Sequence, residues 1–295
     1  MSEGKRSAPA YIDGLAAIAD HFDHVLLDQW GVLHDGQRIF PGVRNAIAAL
    51  KGAGKRVLVL SNSGKRAAEN ATRLARLGLP GDAYDGIVTS GEATWQALRR
   101  RDRVPFDRLG HRCRLITRDG DRSVVEGLDL DLADRAAADF ILLAGLDDAE
   151  ADPALWRAEL IEAAGSGRPM ICANPDLSMI TPAGLIPAPG CIAALYEKLG
   201  GRVTYVGKPH APIYLECLAL LGDPDPARVL AVGDSLDHDI LGGGRMGMAT
   251  ALVIAGVHAP AFETAKTPTE IVGVADKLAA KIGIAPDWLI PGLTW

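Results

Sequence analysis

Val25-Leu26-Leu27-Asp28-Gln29-Trp30-Gly31-Val32-Leu33 decides how the chain folds. It sets one carboxylate, Asp28, at the end of a short apolar run and just ahead of a glycine that lets the backbone turn. An apolar run of this kind suits a strand buried on both faces of a parallel sheet. A side chain at the carboxyl end of such a strand stands where open α/β sheets gather their polar groups.

The same texture recurs on either side. Helical spacing of Val43, Ile47, Ala48 and Leu50, ended by Gly52 and Gly54, leads to a second buried strand, Arg56 to Leu60. This strand-helix-strand unit has the length of a right-handed crossover. A helix over 67–77, a strand over 86–89 and a helix over 92–100 continue the pattern. It resumes with strand-like Thr204-Tyr205-Val206, a helix over 213–221, a strand over 229–232 and another over 250–254. Residues Tyr11 to His21 read as an amphipathic helix that precedes the first strand.

Between the two blocks the texture changes. Residues 103–187 carry their own strands, at 113–117, 140–143 and 169–173, and a helix at 153–164. Pro182, Pro187 and Pro189, with Gly184 and Gly190, mark its end as a boundary. The expected fold is therefore α/β: a doubly wound, Rossmann-like parallel sheet over 1–102 and 188–295, with an inserted α/β lobe over 103–187.

A chain of 295 residues has room for a core and a second lobe. At 48% hydrophobic and 23% charged it can build a buried core, which excludes disorder. The net charge of −6, without a basic stripe, excludes a nucleic-acid backbone as the main partner. The basic cluster from Arg99 to Arg103 ends a helix, where cations favour the dipole. Cys113, Cys172, Cys191 and Cys217 lack C-x-x-C spacing and read as buried, reduced thiols. Glu3, Lys5, Arg6 and Asp13 interrupt any leader-like apolar core, and no run of about 20 apolar residues suggests a membrane span. A soluble, cytoplasmic protein is expected.

A doubly wound sheet brings Asp28, Ser61-Asn62, Lys208 and Asp234 to one edge, although they are far apart in the chain. Their chemistry suits phosphoryl transfer to an aspartate. Asp28 attacks phosphorus, the Ser61 hydroxyl and the Asn62 N–H hold phosphate oxygens, and Lys208 pairs with the phosphate and the nucleophile. Asp234 and Asp28 hold Mg²⁺, a hard cation that prefers oxygen ligands.

Asp28-Gln-Trp-Gly-Val-Leu, Ser61-Asn62, Lys208 and Gly233-Asp234-Ser-Leu-Asp-His-Asp239-Ile resemble, in order and spacing, the four motifs of the haloacid dehalogenase superfamily. Gly207-Lys208-Pro209, Asn174-Pro175-Asp176, Pro189-Gly190 and the large insertion resemble its class IIA capped branch of phosphatases. The resemblance runs from about Asp23 to Val257. It implies a cap that closes over the site, Asn174 as a cap residue that faces substrate, and Asp239 as a support for Lys208 or a metal-bound water. It also implies a small phosphorylated metabolite as substrate and a dimer formed through the cap.

One position departs from that pattern. The phosphatases of the superfamily usually carry a second Asp two residues after the nucleophile, as general acid and base, and its backbone carbonyl binds the metal. Trp30 keeps the carbonyl, but its indole supplies no exchangeable proton. Three readings stay open. One is a phosphatase helped by another group, such as His34 or Asp35, or acting on a good leaving group. The second is a non-phosphate hydrolase such as a dehalogenase, and the third is a weakly active or non-catalytic protein that binds a phosphorylated metabolite.

Overall fold

Strands form where apolar residues run without interruption. The computed structural model describes residues 8–181 and 184–295; Glu3, Lys5, Arg6 and Pro182 lie outside the described residues. In chain order the strands are β1 (Ala10–Tyr11), β2 (His24–Asp28), β3 (Arg56–Ser61), β4 (Gly86–Thr89), β5 (Arg112–Ile116), β6 (Asp131–Leu132) and β7 (Phe140–Leu143). They continue with β8 (Pro169–Cys172), β9 (Ser178–Thr181), β10 (Gly184–Pro187), β11 (Arg202–Tyr205), β12 (Val229–Gly233), β13 (Ala249–Val253) and β14 (Trp288–Ile290). The longer helices are α1 (Val43–Gly52), α2 (Ala67–Arg76), α3 (Ser90–Arg100), α4 (Pro153–Gly165), α5 (Pro189–Lys198), α6 (Ala211–Leu221), and, after four short helical segments, Pro268–Ile282.

The described residues divide into two compact units. One comprises the chain through Ser61, Ala71–Val88 and Tyr214–Trp295; the other comprises Asn62–Asn70 and Thr89–Ile213. The second is wider than the insertion expected over 103–187.

The first unit is built on a seven-stranded sheet in the order β1-β14-β13-β12-β2-β3-β4. Every pairing from β1 to β3 in that order is parallel. Successive side chains of a strand serve opposite faces, and both faces are covered. Ala251, Val253 and Ile290 join Val25, Leu27, Val57 and Val59 against Val43, Ile47 and Leu50 of α1. Leu252 and Leu289, the alternate residues, pack with Ile271 and Ala275 of the Pro268–Ile282 helix. That helix is held at both ends, by a Thr267–Glu270 capping box and by Gly283 in the left-handed conformation. This is the expected Rossmann-like α/β sheet.

The second unit has a five-stranded sheet, β11-β8-β7-β5-β6, parallel throughout. Trp156, Leu160 and Ala163 of α4 and Ile192, Ala193 and Tyr196 of α5 pack on Ile141, Leu143, Met170 and Cys172. Strands β9 and β10 form a separate antiparallel hairpin.

Two expectations are corrected. The strand read at 204–206 as the resumption of the first sheet is β11, and it pairs with β8 of the second sheet. Periodicity reveals a strand but not its partner. The helix expected over 11–21 begins only at Leu15, as a tight 3₁₀ segment, and Tyr11 lies in edge strand β1 beside β14. Gly14, in extended conformation, divides them; a Cβ there would stand 2.5 Å from the Trp295 carbonyl oxygen. The C-terminal segment is thus a sheet strand, and Trp288 is part of it.

All four cysteines are free, with Cys113, Cys172 and Cys217 buried and Cys191 only half-buried. Gly243 is a close-packing position, since a Cβ there would lie 2.8 Å from the Ala231 Cβ. Among the described residues no helix is long and apolar enough to cross a membrane.

Candidate active site

The parallel register determines which strand ends are neighbours. Leu27 of β2 pairs with Val232 of β12, and Asp28 pairs with Leu60 of β3. Asp28, Asp234 just beyond Gly233, and Ser61 therefore end three adjacent strands, and all three are buried.

Asp239 reaches the same place by a different route. After Asp234 the chain makes one wide, π-helical turn, Leu236–Ile240. The Ser235 hydroxyl accepts the His238 N–H at 3.3 Å, while Asp239 Oδ2 accepts the Ser235 N–H at 3.2 Å. These reciprocal bonds fold the Asp239 carboxylate back over the strand end. Gly233 leaves room for it, because a Cβ there would stand 2.0 Å from the Asp239 Cγ.

One oxygen each of Asp28, Asp234 and Asp239 then lies within 4.8 Å of the others. Three buried carboxylates at this spacing repel one another strongly unless a cation lies between them. An all-oxygen donor set suits a hard divalent ion such as Mg²⁺. Asp239, expected only as a support, stands within the cluster itself.

Gly31 shapes the turn that follows Asp28. Its φ of +77° is in the left-handed region, and a Cβ would lie 2.0 Å from the Asp234 Oδ2. That oxygen also accepts the Val257 N–H at 2.7 Å, which orients the carboxylate.

Trp30 departs from a simple loop residue. Its indole meets the His34 ring edge-on, with centroids 4.9 Å apart, and the Arg73 guanidinium of α2 lies 4.6 Å from its ring centre. His34 is fully buried, and its Nδ1 accepts the Gly36 N–H at 2.9 Å. Burial, with the Arg73 charge adding to it, pushes the imidazole down to about 4. Near neutral pH His34 is thus an uncharged loop-former. Asp35 accepts the N–H groups of Gln37 and Arg38, which hold its carboxyl below the usual carboxylate range.

The second unit organises the remaining motif residues. Asn62 Oδ1 accepts the Lys208 N–H at 2.7 Å, and Asn62 Nδ2 donates to the Lys208 carbonyl at 3.1 Å. Nδ2 also donates to Asp176 Oδ1 at 2.7 Å. Lys208 is buried. Asn174, the expected cap contact, uses its Oδ1 to accept the Asp176 N–H at 3.0 Å within its own turn. Asp176, two residues on, makes the longer-range contact instead. Arg118 pairs with Asp148.

The structure thus gathers Asp28, Ser61, Asp234 and Asp239 in the first unit, and Asn62, Asp176 and Lys208 in the second. Two residues escaped the sequence reading. Asp176 lies in the Asn174-Pro175-Asp176 turn, where the resemblance points to Asn174 instead. Arg73 had no sequence signal, because its relation to Trp30 exists only through the packing of α2.

Two family models match the chain, one described as haloacid dehalogenase-like hydrolase over residues 25–131 and one of similar description over 205–281. Chronophin of Rattus norvegicus is 35% identical over 248 residues, 79% of this chain and 76% of its own length. A haloacid dehalogenase-like hydrolase from Brucella suis 1330 superposes with a TM-score of 0.79 at 26% identity, over 96% of this chain and all of its own. The p-nitrophenyl phosphatase from Archaeoglobus fulgidus gives 0.72 at 26% identity, over 92% of this chain and 96% of that one.

Proposed function

The chain belongs to the haloacid dehalogenase-like hydrolases, and on that footing we propose that it is a Mg²⁺-dependent phosphatase of a small phosphorylated metabolite, acting through an aspartyl-phosphate on Asp28. The observation that carries this reading is the buried trio of Asp28, Asp234 and Asp239. A dehalogenase needs no cation, and three carboxylates this close are unstable without one.

An Asp28 oxygen attacks phosphorus, the ester P–O bond breaks, and its electron pair leaves with the ester oxygen. Water then attacks the aspartyl-phosphate at phosphorus, which releases phosphate and restores the carboxylate. Asp28, Asp234 and the Trp30 carbonyl would hold Mg²⁺, which would offset repulsion between the carboxylate and the phosphate. Asp239 orients the cluster. The Ser61 hydroxyl and the Asn62 N–H donate to phosphate oxygens, and Lys208 supplies a fixed positive charge. Asn62 holds the lysine backbone at both ends and so limits where that charge can go.

The same reading keeps the insertion as a substrate-selecting cap, with Asn174 or Asp176 at its contact face, and keeps a cytoplasmic enzyme that dimerises through the cap. Phosphate release from p-nitrophenyl phosphate, measured with Mg²⁺ and with chelator, tests the reaction. Release that depends on Mg²⁺ and vanishes in Asp28→Asn supports it; unchanged release in Asp28→Asn overturns it. If a metabolite binds but no phosphate appears from a broad panel, the protein is a binding module.

A further inference from the structure

The wide turn Leu236–Ile240 carries Asp239 into the carboxylate trio. A turn this short leaves its leading N–H groups without a carbonyl to return to, so they need partners elsewhere. The Ser235 hydroxyl takes the His238 N–H, and Asp239 takes the Ser235 N–H. The Leu236 N–H goes outside the turn altogether: it donates to Nε2 of His258, 22 positions away, at 3.3 Å.

That bond fixes more than one N–H. The Leu236 N–H and the Ser235 carbonyl belong to one peptide unit, which is planar and trans, so the two groups point in opposite directions. With its N–H held by His258, the unit turns its carbonyl toward the Asp239 and Ile240 N–H groups, which donate to it at 3.0 and 3.2 Å. The second of these spans five residues and makes the turn a π-turn. His258 stands in the segment that leaves β13, and its neighbours there hold Asp234. The Val257 N–H donates to Asp234 Oδ2 at 2.7 Å, and a Cβ at Gly256 would come within 2.1 Å of the Asp234 Cβ. Residues 256–258 thus grip the stretch 234–236 at both ends, by a carboxylate and by a peptide N–H. Burial holds the His258 imidazole below the ordinary histidine range, so near neutral pH it is uncharged and Nε2 has a lone pair to offer. On the far side of the turn the buried Tyr214 hydroxyl donates to the His238 carbonyl at 3.2 Å.

Taking as its basis the reading of the trio as a Mg²⁺ site, we infer that His258 is a positioning residue for that site. Its imidazole fixes the Ser235–Leu236 peptide, and through it the wide turn that brings the Asp239 carboxylate beside those of Asp28 and Asp234. His258 acts as a hydrogen-bond acceptor and transfers no proton. Partners that stand behind the groups facing a metal typically set its affinity by about 10–100-fold.

The test is Mg²⁺ binding, measured by titration calorimetry on the wild type, His258→Ala and His258→Gln, with the unfolding temperature of each metal-free protein alongside. His258→Ala is expected to weaken Mg²⁺ binding by about tenfold or more. His258→Gln, whose side-chain oxygen can accept the same N–H, should recover most of that loss. Wild-type Mg²⁺ affinity in a folded His258→Ala protein, even with a lower unfolding temperature, marks a merely structural role; it overturns the inference and leaves the cation-site reading intact. So does a Gln variant as weak as the Ala variant, since the imidazole then acts by bulk alone. If His258→Ala does not fold, His258→Leu, which keeps bulk without an acceptor, takes its place in the same comparison. A wild-type protein that binds no Mg²⁺ means that the cation-site reading itself has failed, and the inference with it.

Discussion

The side-chain amide of Asn62 is bonded at both of its ends to the backbone of Lys208: Oδ1 accepts the lysine N–H at 2.7 Å and Nδ2 donates to the lysine carbonyl at 3.1 Å. The two residues are 146 positions apart in sequence, yet one side chain fixes the peptide that carries the cation. Asp176 steadies the same amide at 2.7 Å.

Asn62→Asp therefore removes the donor of that pair and places a carboxylate beside Asp176. An unsatisfied buried carbonyl costs about 1–3 kcal/mol, and displacing a charged group by about 1 Å can cost about 10²-fold in rate. Lower stability in a denaturant titration, together with a loss of kcat of that order, is expected. Wild-type kcat in Asn62→Asp would show that the clamp does not position Lys208.

Gly31→Ala strikes the cation site from the backbone. The new Cβ would meet Asp234 Oδ2 at 2.0 Å in a conformation with φ of +77°. The turn must shift and carry the carboxylate with it. Mg²⁺ titrated against thermal stability should need at least about tenfold more metal than in the wild type, a loss of about 1.4 kcal/mol in binding.

Asp234→Asn separates metal binding from folding. In the wild type Mg²⁺ should raise the unfolding temperature, because it binds the native cluster and relieves carboxylate repulsion. The variant has one negative charge fewer in the trio of Asp28, Asp234 and Asp239, so it should be as stable without metal or more so, and gain little from Mg²⁺. Calorimetry with and without the ion checks both parts.

The pH dependence of stability has a defined source in His34. Its pKa is pushed from an ordinary 6.5 down to about 4, mainly by burial. Between those values the unfolded chain takes up a proton that the native protein does not, so this contribution is complete above about pH 6.5 and is lost as pH falls through about 4. His34→Asn, whose side-chain oxygen can still accept the Gly36 N–H, should flatten the stability profile in that window relative to the wild type. Parallel profiles would rule out His34 as the source.

Thiol chemistry distinguishes the four cysteines. Cys113 is fully buried and its thiol is pushed up to about 12 by burial; Cys172 is driven higher still for the same reason. Native protein treated with a maleimide should label at Cys191 alone, the one half-buried thiol, and at all four positions after denaturation.

Much of this was legible without coordinates. Near-continuous apolar runs at 24–28, 56–61 and 229–233 can only be strands buried on both faces, and in a parallel sheet their carboxyl ends share an edge. Asp28, Ser61 and Asp234 follow from that alone. The partner of 202–205 did not, because an edge strand looks the same in either sheet until register chooses its neighbour. Nor did the short strand at Ala10–Tyr11, which exists only because β14 offers it an unpaired edge.

The sequence by itself determined the residue types at the strand ends, Asp28, Ser61 and Asp234, and the lack of an acid at Trp30. Periodicity and strand direction are local, so local sequence can specify them. Only the tertiary structure decided that Asp239 stands inside the carboxylate cluster, that Asn62 clamps Lys208, and that Arg73 lies over Trp30. Each of these depends on a wide turn, a long-range hydrogen bond or the packing of a helix, and such contacts are set by the whole fold rather than by neighbours in the chain.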